Sequence, residues 1–191
     1  MTIKVVVTGA YSTGKTTLVC DLALAIGRAG FSCEVLQDIS RSCPLPLNVD
    51  QTDDTTLWLI GSQVAAEIAA MSGSPDVILC DRGIPDILAH HLDVLTRRSE
   101  ERVELLRPFL LQWLDTYDLL LLSRVNEAVP IEADGLRNTS PAYRTLLDGY
   151  AAMVTQGLGA AAELPFGEPA RIEMSFHAVL RLLISSPERP R

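Results

Sequence analysis

The sequence predicts an α/β fold, a parallel sheet of about five strands with helices on both faces, and three observations carry that prediction. Short apolar, β-branched runs alternate with helix-patterned segments along the chain. Runs such as 119–122 are continuously apolar, as in strands covered by helices on both faces. The first run leads straight into Gly9-Ala10-Tyr11-Ser12-Thr13-Gly14-Lys15-Thr16-Thr17, the pattern G-x-x-x-x-G-K-(S/T) of a phosphate-binding loop between strand and helix. Together they specify a three-layer α/β/α P-loop NTPase fold with right-handed crossovers.

The first strand is 3–8. The loop after it supplies glycines for a tight turn, backbone N–H groups aimed at an anion, and the positive end of the helix 17–29. Gly9, Ser12, Thr13, Gly14, Lys15, Thr16 and Thr17 are the expected contacts to a nucleoside triphosphate. Lys15 would reach the β/γ-phosphates, and the Thr16 hydroxyl would ligate Mg²⁺. After glycine stop signals at Gly27 and Gly30, the run 31–36 is the second strand, ending at Gln37-Asp38. Ligands bind beyond the carboxyl ends of such strands, so Asp38 and Arg41 are site candidates. Pro44 and Pro46 make 43–48 an extended loop. A helix capped at Thr52, with Asp53 and Asp54 in its first turn, runs to Gly73 and carries Trp58 and Gln63.

The third strand, 76–80, is followed directly by Asp81-Arg82-Gly83. An acid at this place organises Mg²⁺, and Arg82 offers a fork for phosphoryl oxygens. His90 and His91 follow on a helix, lack partners at metal spacing, and are expected on its surface. A further helix begins near Ser99 and is interrupted by Pro108, before the fourth strand, 117–123. The polar, irregular stretch 125–139 holds Asp134-Gly135 and Arg137, with Arg124 and Arg144 on either side. It is expected to be a mobile lid whose cations close on a triphosphate and exclude water. Ser140 with Pro141 starts the next helix, 171–174 is expected to be the last strand, and Ser175 to cap a closing helix.

With 191 residues and 48% hydrophobic content, the chain is expected to form one domain over 1–184, followed by a polar, disordered tail over 185–191. A net charge of -8 argues against nucleic acid as partner, since that needs a basic stripe. No run approaches membrane-spanning length and the start is not a secretory signal, so a soluble, cytoplasmic protein is expected, alone or as a homodimer. Cys20, Cys33, Cys43 and Cys80 lack C-x-x-C pairing, which predicts reduced thiols without zinc or disulfide.

On residues 9–17, Asp38 with Arg41, the Cys43-Pro44 loop, Trp58 with Gln63, Asp81-Arg82-Gly83 and Asp134-Gly135-Leu136-Arg137, the chain resembles a small P-loop kinase of the AAA-like ATPase group that includes the ribosylnicotinamide kinase domain. More distantly it is similar to deoxynucleoside and thymidylate kinases. The resemblance implies that Asp38 lies near the acceptor hydroxyl, that Trp58 and Gln63 contact a base, and that Arg137 and Arg144 touch the donor phosphates. Together with the residue reading above, this makes Lys15, Asp38, Arg82 and Arg137 the expected catalytic residues, with Arg41 and Arg82 beside the substrate and Thr16 with Asp81 on Mg²⁺. One departure is that Asp38 stands where the family pattern carries Glu. The implied activity is transfer of the γ-phosphoryl of ATP to a hydroxyl of a small, nucleoside-like metabolite. The alternatives are a regulatory or chaperone-like nucleotide switch and a plain NTPase. A guanine-reading N-K-x-D is missing after the fourth strand, where Ser123-Arg124-Val125-Asn126 stands instead.

Overall fold

In the computed structural model, which describes residues 2–97, 102–132, 135 and 138–185, β1 (Ile3–Thr8) is buried along its whole length. It pairs in parallel with β3 (Val77–Asp81) on one side and β4 (Leu119–Leu122) on the other. β2 (Cys33–Leu36) adds beyond β3, and β5 (Ala161–Glu163) beyond β4, giving the order β2-β3-β1-β4-β5. All four pairings are parallel, so every strand carries its carboxyl end to one edge.

Strand alternation divides the core. Ile3, Val5 and Val7 of β1 face α1 (Lys15–Arg28) and α6 (Glu168–Ser185), through Leu18, Leu22, Ile26, Val179 and Leu183. Val6 faces the other way, toward α2 (Asp53–Ser72), α3 (Ile84–Arg97) and α4 (Arg107–Leu114), with Leu59, Ile60, Ile84, Leu110 and Leu114. This is the three-layer P-loop arrangement that the alternating pattern predicts. α5 (Pro141–Thr155) packs on α3, with Ala151 beside Ala89 and Leu122.

Local signals explain most element ends. The Thr52 side chain caps α2 in a reciprocal box with Thr55, and the Ser140 side chain accepts from Tyr143 N ahead of Pro141. Pro108 sits in the first turn of α4, where its missing N–H costs nothing. The expected helix start at Ser99 lies outside the described residues, as does most of the tail; Ser185 itself closes α6.

Two expectations fail at the C-terminal end. Residues 171–174 are not a strand but the first turns of α6, and Ser175 does not cap a helix but lies buried inside it. Ile172, Phe176, Val179 and Leu183 recur at helical spacing and pack on the core. The last strand is instead the alanine-rich Ala161–Glu163, an edge strand held by β4 on one side only. The histidines also differ from expectation: His91 is buried, and His90 lines the internal cavity described below.

Candidate active site

The phosphate loop forms because the backbone is driven where side chains are disfavoured. Gly9 has φ 132°, and a Cβ there would lie 2.2 Å from the backbone oxygen of Ser123. Gly14, at φ 75°, ends the loop and caps α1, which begins at Lys15 rather than at 17. The loop is braced from behind: Ser123 Oγ donates to Thr13 O at 2.9 Å, and Arg171 of α6 reaches Thr13 O and Ser123 Oγ at 2.7 Å each. Sequence reasoning missed Arg171 because it assigned that segment to a strand.

Lys15 is buried, and its ammonium donates to Ala10 O and to Thr13 Oγ1 within the loop. Burial first, then the neighbouring Arg82, lower its pKa from 10.5 to about 7. Thr16 Oγ1 donates to Asp81 Oδ2 at 2.6 Å, bringing the two predicted Mg²⁺ residues together at the ends of α1 and β3. Both are hard oxygen donors facing the cavity, which fits a Mg²⁺ ion sharing its shell with phosphate oxygens and water.

Beyond β3 the chain turns through Arg82 at φ 76°, a left-handed conformation costly for a side-chain-bearing residue. Its guanidinium bridges Asp38 Oδ2 at 3.0 Å and Asp86 Oδ1 at 3.2 Å. Asp86, in the first turn of α3, also accepts from the amides of Gly9 and Gly83 at 3.1 Å each, so one carboxylate joins the phosphate loop to the Asp81-Arg82-Gly83 turn. Burial raises the Asp86 pKa against the opposing pull of Arg82 and Lys15. The sequence signal for Asp86 was available: an acid three residues after a glycine that opens a helix.

Asp38 caps the 3-10 turn Ile39–Ser42, accepting from Ser40 N at 3.0 Å and Ser40 Oγ at 2.6 Å. Burial works against its charge, yet Arg82 and the Ser40 hydrogen bonds outweigh it and hold the carboxyl below its ordinary range.

These groups line one cavity of about 320 Å³. Its lining includes Ser12 to Thr17 with Val129, Pro130 and Glu132 of the segment 125–139. It also includes Asp38, Arg41, Leu47, Gln51, Leu59, Gln63, Arg82 and His90. Gln63 donates from Nε2 to Glu67 Oε1 at 2.9 Å. Trp58 is absent from this wall and packs against the core beneath α2.

The segment 125–139 has no helix or strand among its described residues and folds over the phosphate loop. Glu132 N donates to Ser12 Oγ at 3.2 Å, and Ile131 packs with Ala10, Tyr11 and Tyr143. Arg144 is buried beneath it, donating to Val129 O at 2.9 Å, and does not line the cavity. Arg124 is tied to Asp148 and Glu163. Arg137 and Asp134 lie outside the described residues.

A parallel 2-3-1-4-5 sheet with a phosphate loop after β1 and an acid at the end of β3 defines a P-loop nucleoside-triphosphatase-type protein. The family described as AAA domain matches residues 4–162, and the chain belongs to it. Among solved structures, the fold is similar to the NadR protein in complex with NR, with a TM-score of 0.73 and 20% identity over 100% of this chain and 54% of that one. It is also similar to the NadR protein in complex with NAD and AMP-PNP, with a TM-score of 0.69 and 19% identity over 100% of this chain and 52% of that one. The chain thus spans about half the length of these neighbours. A comparison with curated protein sequences found no match. Among the described residues, no helix is long and apolar enough to cross a membrane.

Proposed function

We propose that the protein is an ATP-dependent kinase that transfers a γ-phosphoryl group to a hydroxyl of a small, nucleoside-like metabolite. The observation that carries this reading is the lining of the cavity. A nucleotide hydrolase needs only the phosphate loop, whereas here Asp38, Gln63 and Arg82 line the same cavity as Lys15 and Thr16. The solved neighbours, one with NR and one with NAD and AMP-PNP, make a riboside and an adenine nucleotide the first ligands to try.

In this reading, the loop amides and Lys15 hold the β/γ-phosphates, Lys15 exchanging its contact with Ala10 O for phosphate oxygens. Thr16 and Asp81 would hold Mg²⁺, which neutralises charge on the transferred group. Asp38, kept ionised by Arg82 and Ser40, accepts the hydrogen bond of the attacking hydroxyl and sets its line of approach. Arg82, fixed by two carboxylates, offers its remaining N–H edge to the phosphoryl oxygens. With the Gln63 amide nitrogen committed to Glu67, its carbonyl oxygen is left to accept from a base or carboxamide. The segment 125–139, with Arg137, acts as the lid that keeps water from the transferring group, and Arg144 holds it from beneath through Val129 O.

A screen of ribosides and small alcohols with labelled ATP tests the activity. On the best acceptor, Asp38→Asn should lower transfer by about 10² to 10⁴ with little change in ATP affinity. A nucleotide switch has no acceptor to serve, so a screen in which no hydroxyl is phosphorylated would favour the switch, whereas full transfer in folded Asp38→Asn would remove Asp38 as the base and leave Asp81 or substrate-assisted transfer.

A further inference from the structure

His90 has no part in the phosphate chemistry described above, yet it stands on the cavity wall. It lies on α3 one turn beyond Asp86 and on the same helical face. Its Nδ1 is buried without a hydrogen-bond partner among the described residues. Buried imidazole nitrogens are ordinarily paired, so one left open on a cavity wall marks a position where an incoming ligand completes the bond.

The chemistry of that ligand follows from the surroundings. Burial first, then Arg82, hold the His90 pKa down to about 4, so the ring is neutral near pH 7. A neutral imidazole donates from one nitrogen and accepts at the other, which suits a hydroxyl better than a phosphate or carboxylate. Anions in this cavity meet Lys15 and Arg82 instead. Leu47, Leu59 and Ile87 supply apolar wall beside it, suited to a flat ring attached to the hydroxylated part. With Asp38, held by Arg82 and Ser40, assigned to the attacking hydroxyl, the hydroxyl that His90 meets is a second one on the same acceptor.

We propose that His90 is a substrate-contacting, specificity-determining residue that hydrogen-bonds a secondary hydroxyl of the acceptor, so that the site selects ribosides over their deoxy counterparts. The proposal rests on the kinase reading and deepens it. Its test compares NR, cytidine and adenosine with 2′-deoxy and 3′-deoxy forms of the same bases, using wild type, His90→Leu, His90→Phe and His90→Asn. Wild type should prefer a riboside over one of its deoxy forms by at least about tenfold in kcat/KM. In His90→Leu and His90→Phe that ratio should collapse toward one, mainly through a higher riboside KM, with the KM for ATP unchanged. His90→Asn, which keeps a hydrogen-bonding group near the Nδ1 position, should retain part of the preference. His90→Phe keeps the bulk of the ring, so it carries the comparison if His90→Leu does not fold. A ratio that survives in the folded variants, or an equal loss on both acceptors, overturns the assignment while the kinase reading stands. Transfer by wild type only to acceptors outside this set overturns the assignment alone, and transfer to no acceptor of the wider screen overturns both.

Discussion

At the scale of single residues, Lys15 is held in the free protein in a state that suits it poorly. Its ammonium is enclosed with Arg82 close enough to repel it, and the loop's own oxygens with Asp86, Asp81 and Asp38 nearby compensate only in part. With a pKa of about 7, roughly a tenth of the Lys15 side chains keep their proton at pH 8. A triphosphate in the loop would restore the charge, so nucleotide binding at pH 8 should take up close to one proton, and affinity should weaken as pH rises above 7. Calorimetry in buffers of different ionisation enthalpy reads that uptake directly; none at pH 8 would remove the argument. The sign for stability is opposite. Between pH 7 and the ordinary value of 10.5, the unfolded chain binds a proton that the folded chain does not. The ligand-free protein should therefore gain stability across that window as pH rises.

At the scale of elements, α6 links the C-terminal part of the chain to the phosphate loop through Arg171, whose fork spans Thr13 O and Ser123 Oγ. Arg171→Met removes both contacts behind the loop and replaces no residue that lines the cavity. ATP affinity should fall by roughly tenfold, since a looser loop must be ordered on binding. Arg171→Lys should not rescue it, because a point ammonium lacks the planar fork; recovery of full affinity in the lysine variant would count against the bracing role. This contact also marks where the sequence stopped being readable. Elements with their own local signals could be read directly: β1 by its β-branched run, α2 and α5 by their caps, Thr16 and Asp81 by their places after β1 and β3. β5 has alanines where strand formers are expected and owes its conformation to β4, so pairing decided it rather than propensity. The polar-apolar alternation of 171–174 fits a strand over four residues and a helix over twelve, and only the longer window separates them. Arg171 needed the fold to become visible, because its partners lie on other elements, and His90 because only the fold sets it on the cavity wall.

For the molecule as a whole, the two-sided sheet sets a problem at Lys4. Strand alternation turns it to the side of Val6, under α2 and α4, where it is buried. The fold answers with Glu67, which has no exposure and accepts from Lys4 Nζ at 2.8 Å, Gln63 Nε2 at 2.9 Å, Trp113 Nε1 at 2.9 Å and Tyr117 OH at 2.7 Å. The Tyr117 hydroxyl in turn accepts from Ile84 N at 3.2 Å, directly after the Asp81-Arg82-Gly83 turn. One carboxylate thus fastens β1, α2, α4 and the approach to β4, and its network reaches the cavity through Gln63. The energetics are unequal across this network. Lys4→Met leaves the carboxylate with its neutral donors, and should cost about 3 kcal/mol. Glu67→Leu leaves a buried ammonium with only the faces of Trp113 and Tyr117, 4.7 and 4.5 Å from their centroids, and orphans the other donors as well. That change should cost at least about 5 kcal/mol. The double replacement removes the stranded charge, so it should be more stable than Glu67→Leu alone although it carries one more substitution. Urea unfolding of the three variants gives the order, and a double replacement less stable than Glu67→Leu would show that the ammonium finds water, leaving the orphaned donors as the whole cost.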